Sequence, residues 1–355
     1  MAVLPASSPF LAACRGEQPS RAPVWFQRQA GRSLPEYRAA RGTGSILDAI
    51  AQPEVAAEVT LQPVRRYGVD AAVLFSDIVV PVHAIGFGID VVPGRGPVAE
   101  RPFASAADLG RLRPLEPEVD LPYVLETVRI LARELDPAVT PLLGFAGAPF
   151  TVASYLVEGG PSRTFAKVKA LMHADPGLWA ELVDRLADLA IAFTSAQVAA
   201  GAQAIQLFDS WAGSLSPMEY ERFALPATRK VMDAVGALGV PRILFGVGTG
   251  ELLSLMATSG ADVIGIDWRV PLDLAAARVR GLPVQGNLEP AIVLAGTDIA
   301  LAEARDVLRR GAAAPGHIFN LGHGVLPETD PGVLEAIVAM VHDEGLALRA
   351  EGKER

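Results

Sequence analysis

Short apolar runs recur along the chain, and a polar or glycine-containing turn follows each of them. The runs are Val24–Gln27, Ala71–Phe75, Pro141–Phe145, Ala204–Phe208, Arg242–Phe245, Asp262–Ile266, Pro283–Gln285 and His317–Leu321. Runs that are apolar on both faces are typical of buried parallel strands. The pattern therefore predicts eight strands of this kind.

Stretches with helical periodicity separate the runs. The predicted helices are Leu47–Tyr67, Tyr123–Leu135, Pro176–Ala200, Pro217–Leu238, Thr249–Ser259, Leu272–Val279, Asp298–Gly311 and Gly332–Arg349. Ser216-Pro217 and Asp330-Pro331 each place proline after an N-cap residue, which is a helix start signal. Gly201, Gly239 and Gly260 are typical of helix ends.

Eight alternating β/α units in about 300 residues are typical of a closed barrel. We therefore predict a single (β/α)8 TIM barrel over residues 1–355, with its core at about residues 10–348. The alternative is an open doubly wound sheet, but the glycine-rich fingerprint that often follows its first strand is missing. Phe87–Arg101, which contains Pro93-Gly94-Arg95-Gly96, is predicted to be a hairpin or a loop excursion.

The composition argues against several classes of protein. Half of the 355 residues are hydrophobic and the net charge is -9, which argues against general nucleic-acid binding. No apolar run reaches the roughly 18 residues that a membrane-spanning helix needs. The one cysteine, Cys14, excludes an intramolecular disulfide. We therefore expect a cytoplasmic protein with no membrane or nucleic-acid partner.

In a barrel of this kind, chemistry takes place just after the carboxyl ends of the strands. The residues at these positions are Arg28, Ser76-Asp77, Ala146–Pro149, Asp209–Trp211, Gly246–Thr249, Asp267–Arg269, Gly286-Asn287 and Gly322–Gly324. Polar and catalytic residue types therefore converge on one rim of the predicted barrel.

The segment Arg21–Arg41, which includes the first predicted strand, reverses the sign of the overall charge. Against one acid, Glu36, it holds the arginines Arg21, Arg28, Arg32, Arg38 and Arg41. Arginine forks match carboxylates in a bidentate geometry and stay charged. A generic arginine run is more often a solvated or ion-paired loop. The position after a strand, with Gly31 between two arginines, favours anion binding here.

Other side chains near the rim have two interpretations each. Asp77 is either an N-cap or a carboxylate that faces substrate N–H groups or a developing cation. Tyr155 is either a core tyrosine or a site residue, and Asp209 and Ser210 either cap a helix or line the site. His323 lies between two glycines, which allow close approach of a ligand, and an imidazole can titrate near neutral pH.

Several common active-site motifs are missing from the sequence. The histidines lack metal-motif spacing and no Cys-x-x-Cys pair occurs, so a zinc site is not expected. Only four lysines are present, which leaves few candidates for a Schiff base with pyridoxal phosphate. Gly246–Gly250 is either a phosphate cradle or a tight turn between strand and helix.

Five blocks of sequence carry a family resemblance. They are Pro23–Arg38, Phe75–Ile78, Gly144–Thr151, Phe208–Gly213 and Asn320–Thr329. With these blocks, the chain resembles the uroporphyrinogen decarboxylases from about residue 10 to residue 348, and the arginine-rich block is the most specific. Gln27 and Ser33 depart from the family pattern, which usually has Met or a similar apolar residue at the first position and Tyr at the second.

The resemblance implies an activity. Members of this family remove the four acetate carboxylates of uroporphyrinogen III, which gives coproporphyrinogen III and four CO2. They have a (β/α)8 fold, use no metal or organic cofactor, and are commonly homodimers. A tetrapyrrole substrate and a homodimeric enzyme without a cofactor are therefore expected.

The resemblance also implies roles for individual residues. Substrate binding is assigned to Arg28, Gln29, Ala30, Gly31, Arg32, Arg41, Asp77, Tyr155, Ser210 and His323. Asp77 is implied to accept the pyrrole N–H groups at the centre of the macrocycle, and Tyr155 to position the reacting acetate. Ser210 and His323 are implied to bind propionates. Catalysis is assigned to Asp77, Tyr155 and Arg28, the last as a candidate proton donor although arginine is a poor acid in water.

Two other functions stay open. Some corrinoid- or thiol-linked methyltransferases share this barrel, but they generally hold zinc with His and Cys ligands near the later strands. Here the cysteine precedes the predicted barrel. The second alternative is a non-catalytic porphyrinogen carrier, against which the full set of polar groups at the strand ends argues.

Overall fold

The computed structural model describes residues 8–42 and 44–354. Within them the strands are β1 (Ala72–Val73), β2 (Ile89–Val92), β3 (Gly96–Ala99), β4 (Leu142–Gly147), β5 (Ala204–Asp209), β6 (Arg242–Gly246), β7 (Val263–Gly265), β8 (Val284–Leu288) and β9 (His317–Leu321). Seven of them form one parallel sheet in the order β1-β4-β5-β6-β7-β8-β9. Seven of the eight predicted runs are therefore strands of a parallel α/β sheet.

The strands are apolar on both faces because both faces of the sheet are covered. Every residue of β4, β8 and β9 is buried. Parallel sheets need this double cover, which explains why their sequences read as continuous apolar runs rather than as alternating ones.

The first predicted strand is much shorter in the structure than in the prediction. Val24 forms only an isolated parallel bridge with Phe319 of β9. The Trp25 N–H donates to the Phe319 carbonyl at 3.3 Å, and the Val24 carbonyl accepts from the Asp70 N–H at 2.8 Å. The structure thus establishes seven parallel strands, and the complete eight-stranded barrel stays a prediction.

Helices connect the strands. The described α-helices are α1 (Pro9–Cys14), α2 (Pro35–Arg41), α3 (Ile46–Ile50), α4 (Pro53–Tyr67), α5 (Val80–Ala84), α6 (Pro117–Asp120), α7 (Pro122–Glu134), α8 (Pro149–Glu158), α9 (Ala166–Ala174), α10 (Pro176–Ala200), α11 (Pro217–Glu219), α12 (Leu225–Gly236), α13 (Leu253–Met256), α14 (Leu272–Arg278), α15 (Thr297–Arg310) and α16 (Pro331–Lys353). A π-helical turn, Tyr220–Ala224, joins α11 to α12. Short 3-10 helices are Ala106–Arg111, Ala212–Ser214, Gly250–Leu252, Ile292–Ala295 and Gly311–Ala313.

The helix predictions hold at most positions. α10 has the predicted bounds, and α16 begins at Pro331, after its Asp330 cap. The predicted helix Leu47–Tyr67 is divided into α3 and α4, because Pro53 starts a new helix. No helix among the described residues has the length and apolarity to cross a membrane.

Hairpin β2–β3 confirms the excursion predicted for Phe87–Arg101. Its strands pair in antiparallel register from Ile89 with Ala99 to Val92 with Gly96. The Ala99 N–H donates to the carbonyl of Gly159, just after α8, at 3.1 Å. The hairpin therefore packs beside the helix that carries Tyr155.

Candidate active site

Arg28, Asp77, Tyr155 and His323 come together at the carboxyl-end edge of the sheet. The positive charge of Arg28 lowers the pKa of Asp77, Tyr155 and His323, although burial has the larger effect on each of the three. These residues come from four separate parts of the chain. The parallel topology brings them together because all the strands end on the same side.

Arg28 lies in a tight turn against the loop that follows β9. Its φ is 58°, in the left-handed region that costs a non-glycine residue about 1 kcal/mol or more. A Cβ atom at Gly324 would collide with the Cδ and Cγ atoms of Arg28. Only glycine at position 324 leaves room for the aliphatic part of this side chain.

The arginine-rich segment contains two kinds of arginine. Arg21 is committed to the fold, since its Nη2 donates to the buried Asp70 at 2.7 Å. Arg28 and Arg32 are exposed, and neither has a carboxylate within salt-bridge distance among the described residues. Arg41 donates through Nη2 to the Gly44 carbonyl at 2.6 Å, and no described residue accepts from its buried Nε. The three candidate arginines thus retain unused donors.

The turn between these arginines is shaped by Gln29. Its buried amide accepts from the Phe26 N–H at 3.0 Å and donates to the Ala71 carbonyl at 3.0 Å. The Gln29 side chain therefore ties the turn to the start of β1 and does not face the rim. Ala30 packs against the core, and a Cβ at Gly31 would approach the Arg28 carbonyl oxygen to 2.8 Å.

Asp77 combines features of both interpretations of its role. Its Oδ1 accepts from the Val79 N–H at 3.0 Å, so the carboxylate stabilises the turn before α5. It does not cap α5 itself, whose N-cap residue is Val79. Burial raises the pKa of Asp77, while the Val79 N–H and the Arg28 charge oppose that rise.

Tyr155 is a largely buried phenol on the face of α8 that meets Trp211. It lies on α8 with 9% of its surface exposed, and burial raises the pKa of its phenol to about 12. The phenol therefore keeps its proton at neutral pH. The Trp211 ring lies edge-on to it, with 5.9 Å between ring centroids. Ser210, the residue before Trp211, is half-buried at the end of β5.

His323 is neutral at neutral pH. Burial lowers its pKa to about 4, and the charge of Arg28 adds to that effect. Its Nδ1 accepts from the Gly324 N–H at 2.6 Å, so the ring proton is on Nε2. The imidazole thus offers one N–H donor rather than a positive charge.

The turn after β7 packs beside His323. The Trp268 and His323 rings are 6.2 Å apart, and the Arg269 guanidinium stacks on Trp268 at 3.9 Å from the ring centroid. Buried Asp267 accepts from both Arg269 and the Gly248 N–H. Because the Gly248 amide is already paired, Gly246–Gly250 serves as a tight turn rather than as a phosphate cradle.

Cys14 lies at the opposite edge of the sheet. It lines a cavity with Pro241, Asp262, Pro283 and Pro315, which precede β6, β7, β8 and β9. Burial raises the pKa of its thiol well above the ordinary value. The cysteine therefore has no contact with the rim that carries the candidate residues.

Thr151 is the site residue that the sequence prediction did not single out. It lies within the Gly144–Thr151 block, one helical turn before Tyr155, and that spacing was the available signal. Its hydroxyl bridges the Asp209 carboxylate and the Trp211 N–H, at 2.7 and 3.1 Å.

Solved structures share the architecture. A methyltransferase from Methanosarcina mazei aligns over 95% of this chain and 98% of its own, with a TM-score of 0.75 and 22% identity. A B12-independent methionine synthase from Shewanella aligns over 86% of this chain and 92% of its own, with a TM-score of 0.59 and 14% identity. At these identities the likeness shows the fold alone.

Sequence relatives are much nearer. A family model described as Uroporphyrinogen decarboxylase (URO-D) matches residues 5–344. A uroporphyrinogen decarboxylase from Salinispora tropica is 58% identical over 96% of this chain and 91% of its own length. One from Streptomyces coelicolor is 59% identical over 95% of this chain and 94% of its own. The predicted family is confirmed: this chain belongs to the uroporphyrinogen decarboxylase family.

Proposed function

We propose that this chain decarboxylates the four acetate side chains of uroporphyrinogen III, which gives coproporphyrinogen III and four CO2. The observation that carries this proposal is a group of arginines that have no carboxylate partner among the described residues and lie near a half-buried carboxylate. Donors for substrate carboxylates come from Arg28, Arg32 and Arg41. Asp77 lies close enough to Arg28 for the charge of the arginine to lower the pKa of the carboxyl group. A substrate with many carboxylates around a ring of pyrrole N–H groups complements this arrangement.

The chemistry needs a place for the electrons that CO2 leaves behind. A proton added to the pyrrole carbon next to the acetate-bearing carbon makes an iminium-like cation. The bond to the carboxylate then breaks, CO2 departs, and its electron pair moves into the ring system. A proton added to the resulting methylene carbon makes the methyl group, and loss of the first ring proton restores the pyrrole. The net change replaces each CO2 with one proton.

The protein's part is to bind, orient and stabilise. Asp77 accepts the pyrrole N–H groups, and its negative charge stabilises the cation as it forms, an effect that a dry site strengthens. Tyr155 donates from its protonated phenol to the reacting acetate. His323 and Ser210 donate to propionates, His323 through Nε2–H. Gln29, Ala30 and Gly31 contribute by holding the turn that presents Arg28 and Arg32.

The proposal includes a closed barrel in a single domain. The segment around Val24 is hydrogen-bonded to β9 on one side and to Asp70, just before β1, on the other. These hydrogen bonds support a first strand that would fill the gap between the two edge strands of the seven-stranded sheet. Closure at this point would place Arg28 at the rim beside both Asp77 and His323.

The alternative functions have less support. The likeness to methyltransferases is one of fold, and Cys14 lies at the edge of the sheet away from the rim. A carrier would not need a protonated phenol and a carboxylate together at the centre of the site.

Anaerobic incubation of the purified protein with uroporphyrinogen III, followed by chromatography of the products, tests the activity. We expect the seven-, six-, five- and four-carboxylate porphyrinogens to appear in turn. Asp77→Asn keeps the shape and removes the charge, so we expect kcat to fall by on the order of 100-fold. Near-normal turnover in this variant would refute the electrostatic role. Binding of substrate without any product would support a carrier instead.

We also propose a cytoplasmic homodimer. Leu274, Leu294 and Ile299 are about half exposed, at 53%, 47% and 52%. They lie on α14, on the short 3-10 helix Ile292–Ala295 and on α15, and α15 contacts both of the others. Exposed apolar residues on neighbouring elements are typical of an interface between protein molecules.

Sedimentation analysis tests the dimer. Ile299→Arg with Leu294→Arg should convert a dimer to a monomer. Met218→Arg is the control, since Met218 is 81% exposed on a different helix. An oligomeric state that is the same in all three proteins would count against this interface.

A further inference from the structure

Thr151 uses its hydroxyl outside its own helix. The hydroxyl donates to Asp209 Oδ1 at 2.7 Å and accepts from the Trp211 N–H at 3.1 Å. The buried Thr194 behaves differently, because its hydroxyl donates to the Ala190 carbonyl of the same helix at 2.7 Å. Thr151 is fully buried and spans the two residues on either side of Ser210.

Asp209 is buried at the end of β5 with few partners. Its surface is fully covered, and no described residue hydrogen-bonds to its Oδ2. Burial raises the pKa of this carboxyl to about 6, and hydrogen bonds from Thr151 oppose that rise. Burying a carboxylate costs free energy unless it is hydrogen-bonded. The hydrogen bond from Thr151 therefore offsets part of the cost of burying Asp209.

The same face of α8 makes a second contact with this turn. Thr151 and Tyr155 are four residues apart and therefore share one face of the helix. Thr151 contacts the backbone of the turn, and Tyr155 packs against the Trp211 ring. The Trp211 ring also packs against Phe165, with 5.3 Å between centroids. The turn after β5 and helix α8 are thus joined at two points.

We infer that Thr151 and Asp209 are positioning residues for the proposed decarboxylation. Their hydrogen bonds fix the Asp209–Trp211 turn, which sets the place of Ser210 directly and of Tyr155 through the Trp211 ring. This inference rests on the proposed function only for its kinetic consequence. The geometric link can be measured without activity.

Thr151→Val removes the hydroxyl while keeping the shape of the side chain. We expect kcat to fall by ~10- to 100-fold, because an error of about 1 Å in a reacting group costs on that order. KM should change less, since Arg28, Arg32 and Arg41 still bind the substrate carboxylates. Thr151→Ser keeps the hydroxyl and should restore most of kcat. Thr194→Val is the matched control and should leave kcat unchanged.

The kcat values of two Asp209 variants distinguish a positioning role of this residue from a role of its charge. Asp209→Asn keeps an acceptor for the Thr151 hydroxyl and should retain most of kcat, whereas Asp209→Leu should resemble Thr151→Val. A kcat that is lost in Asp209→Asn but unchanged in Thr151→Val would overturn the inference.

A crystal structure of Thr151→Val gives a readout that is independent of turnover. We expect Ser210 and the Trp211 ring to move relative to Tyr155, and an unmoved turn would refute the link. If the wild-type protein releases no CO2, the proposed function fails, and this structural comparison still decides the positioning role. If Thr151→Val does not fold, the pair Asp209→Asn and Asp209→Leu provides the kinetic test.

Discussion

Asp70 is fully buried and accepts from three donors that come from two parts of the chain. Arg21 donates at 2.7 Å, the Val24 N–H at 2.8 Å, and His342 Nε2 lies 2.8 Å away. Removing Arg21 would take away one of the partners that stabilise the buried Asp70 carboxylate, which is destabilising. Arg21 therefore holds the segment around Val24 in place, whereas Arg28 has no carboxylate partner among the described residues.

His317 makes the stability of the fold sensitive to acid. It is buried in β9, its Nε2 donates to the Gly286 carbonyl at 2.8 Å, and burial lowers its pKa to about 3. The unfolded chain binds the proton near pH 6.5, before the folded chain does, so stability is lost as pH falls below that value. We expect this residue to reduce the free energy of unfolding by about 2 kcal/mol between pH 7 and pH 5.

Denaturant unfolding at pH 7 and pH 5 checks this expectation. His317→Gln should show a smaller loss of stability between the two pH values than the wild-type protein. His173→Gln is the control, because His173 has 56% of its side chain exposed. Equal losses in all three proteins would contradict the assignment.

At the scale of elements, apolar runs predict the seven strands of the sheet well, but they predict the first run, Val24–Gln27, poorly. Its ladder is replaced by side-chain hydrogen bonds: Gln29 Oε1 accepts from the Phe26 N–H, and Asn320 Oδ1 accepts from the Gln27 N–H, both at 3.0 Å. The second of these joins residues from opposite ends of the chain. A local pattern carries no signal of such a partner, so the shortened strand could not be predicted.

Helix starts, in contrast, are determined locally. Asp330 accepts from the Gly332 N–H at 2.9 Å and Pro331 occupies the first position of α16, as the sequence predicts. Asp330→Ala should lower the free energy of unfolding by about 1 kcal/mol, and Asp330→Asn should lower it much less. Asp343→Ala, at an exposed position within α16, is the control for a change of charge in the same helix. A loss in Asp343→Ala equal to that in Asp330→Ala would contradict a capping role.

At the scale of the whole molecule, the candidate residues are far apart in the sequence, but the topology of the sheet brings them to one edge. The strand-end rule predicted the rim that carries Arg28, Asp77 and His323, because every parallel strand ends on one side. It could not predict which arginines are paired, since Arg21 finds its carboxylate at Asp70, far along the sequence. Nor could it predict that Gln29 faces inward, because that depends on the Ala71 carbonyl.

The distribution of charge over the protein predicts how kcat/KM depends on salt concentration. The protein carries a net charge of -9, which repels a polycarboxylate, whereas Arg28 and Arg32, the proposed carboxylate-binding residues, would attract it. Screening lengths shrink from about 30 Å at 0.01 M salt to 10 Å at 0.1 M, so salt weakens both effects. We expect the local attraction to dominate, and kcat/KM to fall by about tenfold between 0.01 and 0.3 M salt.

Arg32→Ala should raise KM, accumulate partly decarboxylated products and show a shallower dependence of kcat/KM on salt. Arg65→Ala removes one positive charge from an exposed arginine of α4 that pairs with Glu58, and it should keep the wild-type slope. The two variants have the same net charge, so a difference in slope reports the position of the charge and not its sum. A kcat/KM that rises with salt in the wild-type protein would mean that the overall negative charge governs substrate capture, and the arginines at the rim would then lose their proposed role in it.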